Sequence, residues 1–220
     1  MKRELRITED GSHTLYVPEL DEHYHSIHGA LQESNHVFLK NGFFKMNNNP
    51  LRILEVGFGT GLNALITACA AFDSGVITEY VGVEAYPVTS EMMLQMGYPS
   101  VMNDLNSGPY LSKITNASWG NKAEVHSRFS LTKINDTIQN YQNKAPFNLI
   151  YFDAFGPKVQ GDMWHKDVIQ KMYDVLEPTG KLVTYCAMGQ FKRDLREVGF
   201  EVSCLDGPPG KREMVSAQKK

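Results

Sequence analysis

Cysteine is scarce and scattered. Cys69, Cys186 and Cys204 stand far apart in apolar surroundings, with no C-x-x-C pair. That pattern excludes a disulfide framework, argues against a zinc site and suits free thiols in a reducing compartment. Positive charge is not in excess: 22 Lys and Arg against 25 Asp and Glu give a formal charge of −3. The chain as a whole is no polycation, so a nucleic acid would have to be met by a local basic patch. No apolar run approaches membrane-spanning length, and the opening Met-Lys-Arg-Glu-Leu-Arg lacks an apolar signal core. The expected setting is the cytoplasm, with no membrane partner. Internal repeats and low-complexity tracts are also missing. What the 220 residues do offer is enough chain for one α/β domain with a sizeable core and a small elaboration.

The most informative stretch is residues 51–62. Ile53, Leu54 and Val56 read as a buried parallel strand that ends in glycines at alternate positions, Gly57, Gly59 and Gly61. An apolar helix over 62–72 follows. Strand, glycine turn and helix make the opening unit of a nucleotide-binding α/β sheet. The glycine spacing departs from the G-x-G-x-x-G dinucleotide fingerprint. Glu55, two positions before the first glycine, would repel a pyrophosphate but suits a ligand carrying an amine or a sulfonium. This contrast points to S-adenosylmethionine and away from NAD.

The rest of the chain alternates in the same manner. A β-hairpin is expected over 1–17, with Asp10-Gly11 supplying its turn. A histidine-rich polar segment with His23, His25 and His28 comes next, then a helix over 30–44 with Ser26 as a possible cap. Strands are expected at 78–84, 124–131, 147–152 and 181–186, and helices at 137–141, 167–176 and 190–198. Residues 88–118 read as a helix followed by an irregular excursion. A terminal hairpin of 200–205 and 213–217 closes around Gly207-Pro208-Pro209-Gly210. The predicted fold is α/β, Rossmann-like, of the class I methyltransferase kind: a mostly parallel seven-stranded sheet with a terminal antiparallel hairpin. Residues 1–50 form an N-terminal extension of hairpin and helix packed on the core, and 51–220 the methyltransferase domain.

In such a sheet the ligand lies beyond the C-terminal strand ends, and four acids fall there. Glu55 precedes the glycine turn. Glu84, 23 residues beyond Gly61, either grips the ribose hydroxyls or caps the following helix. Asp136 either meets the adenine amino group or caps residues 137–141. Asp153 leaves the fourth strand into a loop stiffened by Pro157; there a carboxylate can position an ammonium and accept its proton, methyl transfer otherwise depending on alignment. The alternative is a loop-stabilising Asp. The histidines lack a completing Cys or carboxylate set, so no metal is expected. Lys211 and Arg212, with Lys192, Arg193 and Arg196 on the preceding helix, either form a basic patch for RNA phosphates or mark a solvated face.

The chain resembles the tRNA wobble-uridine methyltransferase family, the MnmD proteins and the N-terminal domain of bifunctional MnmC. Asp10-Gly11-Ser12-x-Thr14-Leu15-Tyr16, Tyr24-His25-Ser26-x-His28-Gly29-Ala30 and Glu33-Ser34-x-His36-Val37-Phe38 carry the likeness at one end. Glu55-Val56-Gly57-Phe58-Gly59-Thr60-Gly61-Leu62-Asn63, Tyr151-Phe152-Asp153-Ala154-Phe155 and Met163-Trp164 carry it in the middle. Gly207-Pro208-Pro209-Gly210-Lys211-Arg212-Glu213-Met214 carries it at the other end. The resemblance implies S-adenosylmethionine-dependent N-methylation of 5-aminomethyl-2-thiouridine at the tRNA wobble position, giving 5-methylaminomethyl-2-thiouridine. It implies Asp153 as the catalytic Asp, and Glu55 and Glu84 as cofactor contacts; Gly57, Gly59, Gly61, Asn63 and Asp136 are the other expected cofactor contacts. Phe155, Arg193, Lys211 and Arg212 are the expected substrate-binding residues. The FAD-dependent oxidoreductase half of MnmC has no counterpart up to Lys220, so a separate enzyme is expected to supply the free-amine tRNA. Asn135-Asp136 stands where the family has Gly-Asp, and Gly156 where Ala is usual. A small-molecule amine methyltransferase and a non-catalytic tRNA-binding protein on the same fold are the competing readings.

Overall fold

The computed structural model of the protein describes residues 1–142 and 145–220. The N-terminal hairpin forms where Asp10-Gly11 turns the chain: β1 (Glu4–Ile7) pairs antiparallel with β2 (His13–Val17), and a short β3 (Glu22–His23) adds to β2. The expected 30–44 helix is broken into α1 (Ala30–Ser34), a π-helical stretch Asn35–Lys40 and a 3₁₀ turn Phe43–Lys45. Its cap also differs from expectation. Gly29 at the N-cap has no side chain to offer, and acceptors from the hairpin turn take its place. Asp10 Oδ2 accepts from the Gln32 N–H, and Ser12 Oγ from the N–H groups of Ala30 and Leu31. Ser26 binds the His28 N–H instead.

The core begins at β4 (Leu51–Val56), which leads through the glycine turn into α2 (Leu62–Ser74) and then β5 (Thr78–Val83). Residues 88–118 hold more regular structure than their punctuation suggests, with α3 (Ser90–Gln95), a 3₁₀ turn Tyr98–Ser100 and α4 (Ser107–Asn116). The single strand expected at 124–131 is a hairpin, β6 (Lys122–His126) against β7 (Phe129–Ile134), turning at Ser127-Arg128. Residues 138–140 make a turn where a short helix was expected. β8 (Phe147–Phe152) is buried along its whole length. α5 (Lys166–Val175), β9 (Leu176–Thr184), α6 (Gly189–Val198), β10 (Phe200–Asp206) and β11 (Glu213–Lys219) complete the chain.

Among the described residues the main sheet has eight strands in the order β10-β11-β9-β8-β4-β5-β7-β6. The eighth strand, absent from the seven-stranded expectation, is β6, the extra arm of the β6–β7 hairpin. The five central strands are parallel, and antiparallel pairs close both edges. Apolar side chains on the two faces form two cores. One lies under α2 and α4, with Phe38, Leu65, Tyr80 and Tyr151; the other lies under α5 and α6, with Ile150, Phe152, Trp164 and Phe191. No helix among the described residues is long and apolar enough to cross a membrane.

Candidate active site

The C-terminal ends of the central strands converge on one cavity of about 390 Å³. β4 and β8 meet closest. Asp153 N–H donates to the Val56 carbonyl at 2.9 Å, and Gly57 adopts φ +91° against the Asp153 backbone. A Cβ on Gly57 would stand 2.5 Å from the Asp153 carbonyl oxygen, so only glycine allows the two strand ends this approach. Gly57, Gly59, Asn63, Glu84, Asp136, Asp153 and Phe155 all line the cavity. Gly61 lies outside it, in the left-handed conformation that starts α2.

Each acid has a distinct environment. Glu84 accepts the Gly59 N–H at 2.9 Å through one oxygen and the Tyr86 N–H at 2.8 Å through the other. It therefore ties the glycine turn to the end of β5 and keeps lone pairs toward the cavity. Asp136 Oδ1 takes the Thr137 N–H and the Asn140 amide, capping the 138–140 turn while it lines the cavity. Glu55 does not line the cavity. Its side chain, with the residue only 1% exposed, lies behind Asn63, whose amide nitrogen reaches it at 2.9 Å. The direct carboxylate–ligand contact expected of Glu55 is therefore screened by Asn63. The same Asn63 nitrogen donates to Asp153 Oδ2 at 2.8 Å. Burial pushes the Asp153 carboxyl up to about 7, and the Glu33 charge adds to this; the Asn63 hydrogen bond and the Lys211 charge oppose it. Glu55 is raised well above its ordinary range by burial and then by the Asp153 charge.

The N-terminal segment walls the cavity, and the last hairpin loop packs against that segment outside the lining. Tyr24 meets Phe155 edge-on, with ring centroids 5.0 Å apart. The Tyr24 hydroxyl accepts from Arg3 Nε at 2.9 Å, while Arg3 Nη2 donates to the Tyr86 carbonyl at 2.6 Å, clamping the N-terminal segment to the loop after β5. His25 also lines the cavity, and burial holds its pKa down to about 4, so it is neutral at physiological pH. From the other end, Lys211 pairs with the buried Glu33, and its Nζ stands 4.5 Å from the centroid of the Tyr185 ring. Tyr185 in turn donates its hydroxyl to the Ala154 carbonyl at 2.7 Å, next to Asp153. His36 Nε2 donates to the Asp206 carbonyl at 2.7 Å, and the His28 ring occupies the space where a Cβ at Gly210 would stand.

The expected basic patch splits apart. Lys211 turns inward to Glu33, Lys192 pairs with Glu213 at 3.1 Å, and Arg193 bonds Gln190 on its own helix. Arg212 is exposed, and neither it nor Arg193 lines the cavity. Residue-by-residue reading passed over Arg3, Tyr24, His25, Glu33 and Tyr185 as site residues. Two of the quoted N-terminal motifs do contain Tyr24, His25 and Glu33, so a signal for them existed. Nothing in the sequence marks Arg3 or Tyr185, whose partners lie 21 and 31 residues away. No group of three or more His, Cys, Asp or Glu among the described residues could hold a metal ion.

A family model described as S-adenosyl-L-methionine-dependent methyltransferase matches residues 110–220. The chain belongs to this family. The methyltransferase is 29% identical, over 94% of its length, to the tRNA 5-methylaminomethyl-2-thiouridine biosynthesis bifunctional protein MnmC of Burkholderia pseudomallei. It is 32% identical, over 92% of its length, to the MnmC of Cupriavidus necator. The chain spans about a third of the length of these curated relatives, 34% and 32% respectively. Among solved structures, MNMC2 from Aquifex aeolicus superposes with a TM-score of 0.78 at 21% identity, covering 100% of this chain and 70% of that one. SAM-bound CalS10, an amino pentose methyltransferase of Micromonospora echinaspora, superposes with a TM-score of 0.51 at 12% identity, over 87% of this chain and 92% of that one. These two likenesses concern the fold.

Proposed function

We propose that this methyltransferase N-methylates the aminomethyl group of a 5-aminomethyl-2-thiouridine at the tRNA wobble position, with Asp153 as the proton acceptor. The observation that carries the reading is the place of Asp153. It is a carboxyl at the floor of the glycine-turn cavity, with a pKa of about 7 and a wall contributed by the N-terminal segment. The MnmC relatives, named for tRNA 5-methylaminomethyl-2-thiouridine biosynthesis, supply the substrate. Residues 1–50 would then serve as the extension that completes the cavity of a 51–220 catalytic domain, acting in the cytoplasm.

The cavity's donor set suits S-adenosylmethionine. Glu84 offers carboxylate lone pairs for two ribose hydroxyls, Gly57 and Gly59 line the cavity without side chains, and Asp136 stands where an adenine amino group could be met. When bound, the cofactor supplies a methyl group on a positively charged sulfur, which departs as a neutral thioether. The protein's own work is proton handling and alignment. An arriving ammonium is attracted to ionised Asp153, which takes one N–H proton and leaves the nitrogen lone pair free to bond the methyl carbon. A general base works best when its pKa lies near the operating pH, as here. Phe155 and Tyr24 wall the substrate's approach, and Lys211, outside the lining and paired with Glu33, places no free positive charge in the cavity. The aminomethyl group has to be unmasked first, in a reaction we assign to a separate active site.

The test supplies labelled S-adenosylmethionine and tRNA from a strain lacking the terminal methylation. Label in the wobble nucleoside after digestion is the expected result. A labelled small amine with unlabelled tRNA would replace the reading with a small-molecule methyltransferase, and no label in either would reject both.

A further inference from the structure

We propose that Glu55, Asn63 and Asp153 act as one unit, in which Asn63 is a positioning residue that holds both carboxyl groups and Glu55 remains a neutral acid while Asp153 alone changes charge. Three observations lead there. Asn63, on the first turn of α2, has one amide nitrogen with two hydrogens, and both are committed: one to Glu55 Oε1 at 2.9 Å, the other to Asp153 Oδ2 at 2.8 Å. Nothing is left on that nitrogen for a ligand, so the Asn63 amide nitrogen serves the two acids rather than the cofactor.

Second, among the described residues three buried polar atoms lack a hydrogen bond of full geometry: Glu55 Oε2, Asn63 Oδ1 and the Tyr80 hydroxyl. The Tyr80 hydroxyl stands close enough to Glu55 to offset part of the effect of burial. An ionised Glu55 would bury a charged oxygen with only the Tyr80 hydroxyl near it, at a cost far above that of a neutral hydroxyl. Third, no cation compensates. Lys211 is spent on Glu33, and none of the ion pairs among the described residues involves Glu55. The charged groups that face the pair are Glu84 from the end of β5, Glu33 from α1 and Lys211 from the loop before β11. Tyr80, Tyr98, Tyr151 and Tyr185, packed around them, are all held neutral by burial. The two carboxyls repel each other when both are ionised, and the Asp153 charge adds to burial in raising Glu55. A second ionised carboxylate behind Asp153 would push it further up and leave less base at neutral pH. A neutral Glu55 avoids that, while still accepting the hydrogen bond that orients Asn63.

The first test does not depend on turnover. Infrared spectra of the purified protein at about pH 8, where ordinary Asp and Glu carboxyls are ionised, should retain a protonated-carboxyl carbonyl band. Glu55→Gln, which keeps the size and the acceptor, should lose it. A wild-type spectrum without that band, or a band that survives in Glu55→Gln, overturns the inference. The second test rests on the proposed methyl transfer and reads the acid limb of kcat/KM against pH. In Glu55→Gln the limb should stay within about twofold of its wild-type proton concentration, because no charge has been removed; a downward move of roughly tenfold or more would mean an ionised Glu55. Asn63→Ala should move the limb upward, costing roughly tenfold at about pH 7 and recovering as pH rises. An equal loss at every pH would assign Asn63 a purely structural or cofactor role and remove it from this unit. If no methyl transfer is found at all, the proposed function fails and the infrared result still decides the protonation of Glu55.

Discussion

Asp153 binds its proton more tightly in the folded protein than in the unfolded chain, where an ordinary Asp titrates near 4. The sign of the consequence follows from linkage. Between about pH 4 and pH 7 the folded state holds a proton there that the unfolded state has lost, so this group's contribution to stability declines as pH rises through the window. Glu55, also raised, acts in the same direction. His25 acts in the opposite one: its folded pKa is depressed to about 4, so stability is lost as pH falls from about 6.5 toward 4. Asp153→Asn should therefore be relatively more stable than the wild type at the alkaline end, and its urea midpoint should decline less between about pH 5 and pH 8. Parallel declines for both proteins would mean that Asp153 is not held protonated by the fold. The same carboxyl serves the chemistry, because a site that resists ionisation by burial can still ionise near neutrality and pair with an ammonium.

Among the elements, α1 is the least self-sufficient. It is short, starts at a glycine and borrows its caps from the hairpin turn. Burial pushes the Asp10 carboxyl up, but hydrogen bonds from Ser12, the Gln32 N–H and Thr8 outweigh it and hold the group below its ordinary value. Asp10→Ala removes these contacts and should cost about 1–2 kcal/mol, the usual worth of a lost cap, read as a fall of roughly 2–8 °C in calorimetric Tm for a chain of this size. No change in Tm would show that the turn does not hold the helix. Because α1 carries Glu33, the partner of Lys211, its looseness would reach the charges that bear on Asp153. Sequence reading succeeded at this scale where one signal dominated. The 147–152 run, apolar but for Asn148, the glycine turn and the Asp-Gly hairpin each specify their element locally. It failed where the signal was weak or distant. The Ser127-Arg128 turn contains no Gly, Pro, Asn or Asp, so two strands read as one. The α1 caps come from some 20 residues earlier in the chain, and no periodicity reports them.

At the scale of the whole molecule, the structure joins the chain's two ends around one strand terminus. His28 against Gly210, His36 on Asp206 and Glu33 with Lys211 stitch the N-terminal segment to the last hairpin loop, and Arg3 ties that segment to the loop after β5. Of the motifs that seemed unrelated in sequence, the Tyr24-His25 one thus lines the cavity with Asp153. The C-terminal one brings the Lys211 charge to bear on that carboxyl from outside the lining. Charge is distributed differently from expectation: Lys211 and Lys192 are internally paired, which leaves Lys158 and Arg212 as exposed cations flanking the site. This account hinges on the distinction between holding the cofactor and moving the proton. Its most direct test measures S-adenosylhomocysteine affinity and single-turnover methyl transfer side by side for the wild type and Asp153→Ala. The account predicts affinity retained within a few-fold and transfer reduced by about 10²-fold or more, the usual worth of a positioned base. Equal losses in both would contradict it and make Asp153 a cofactor contact.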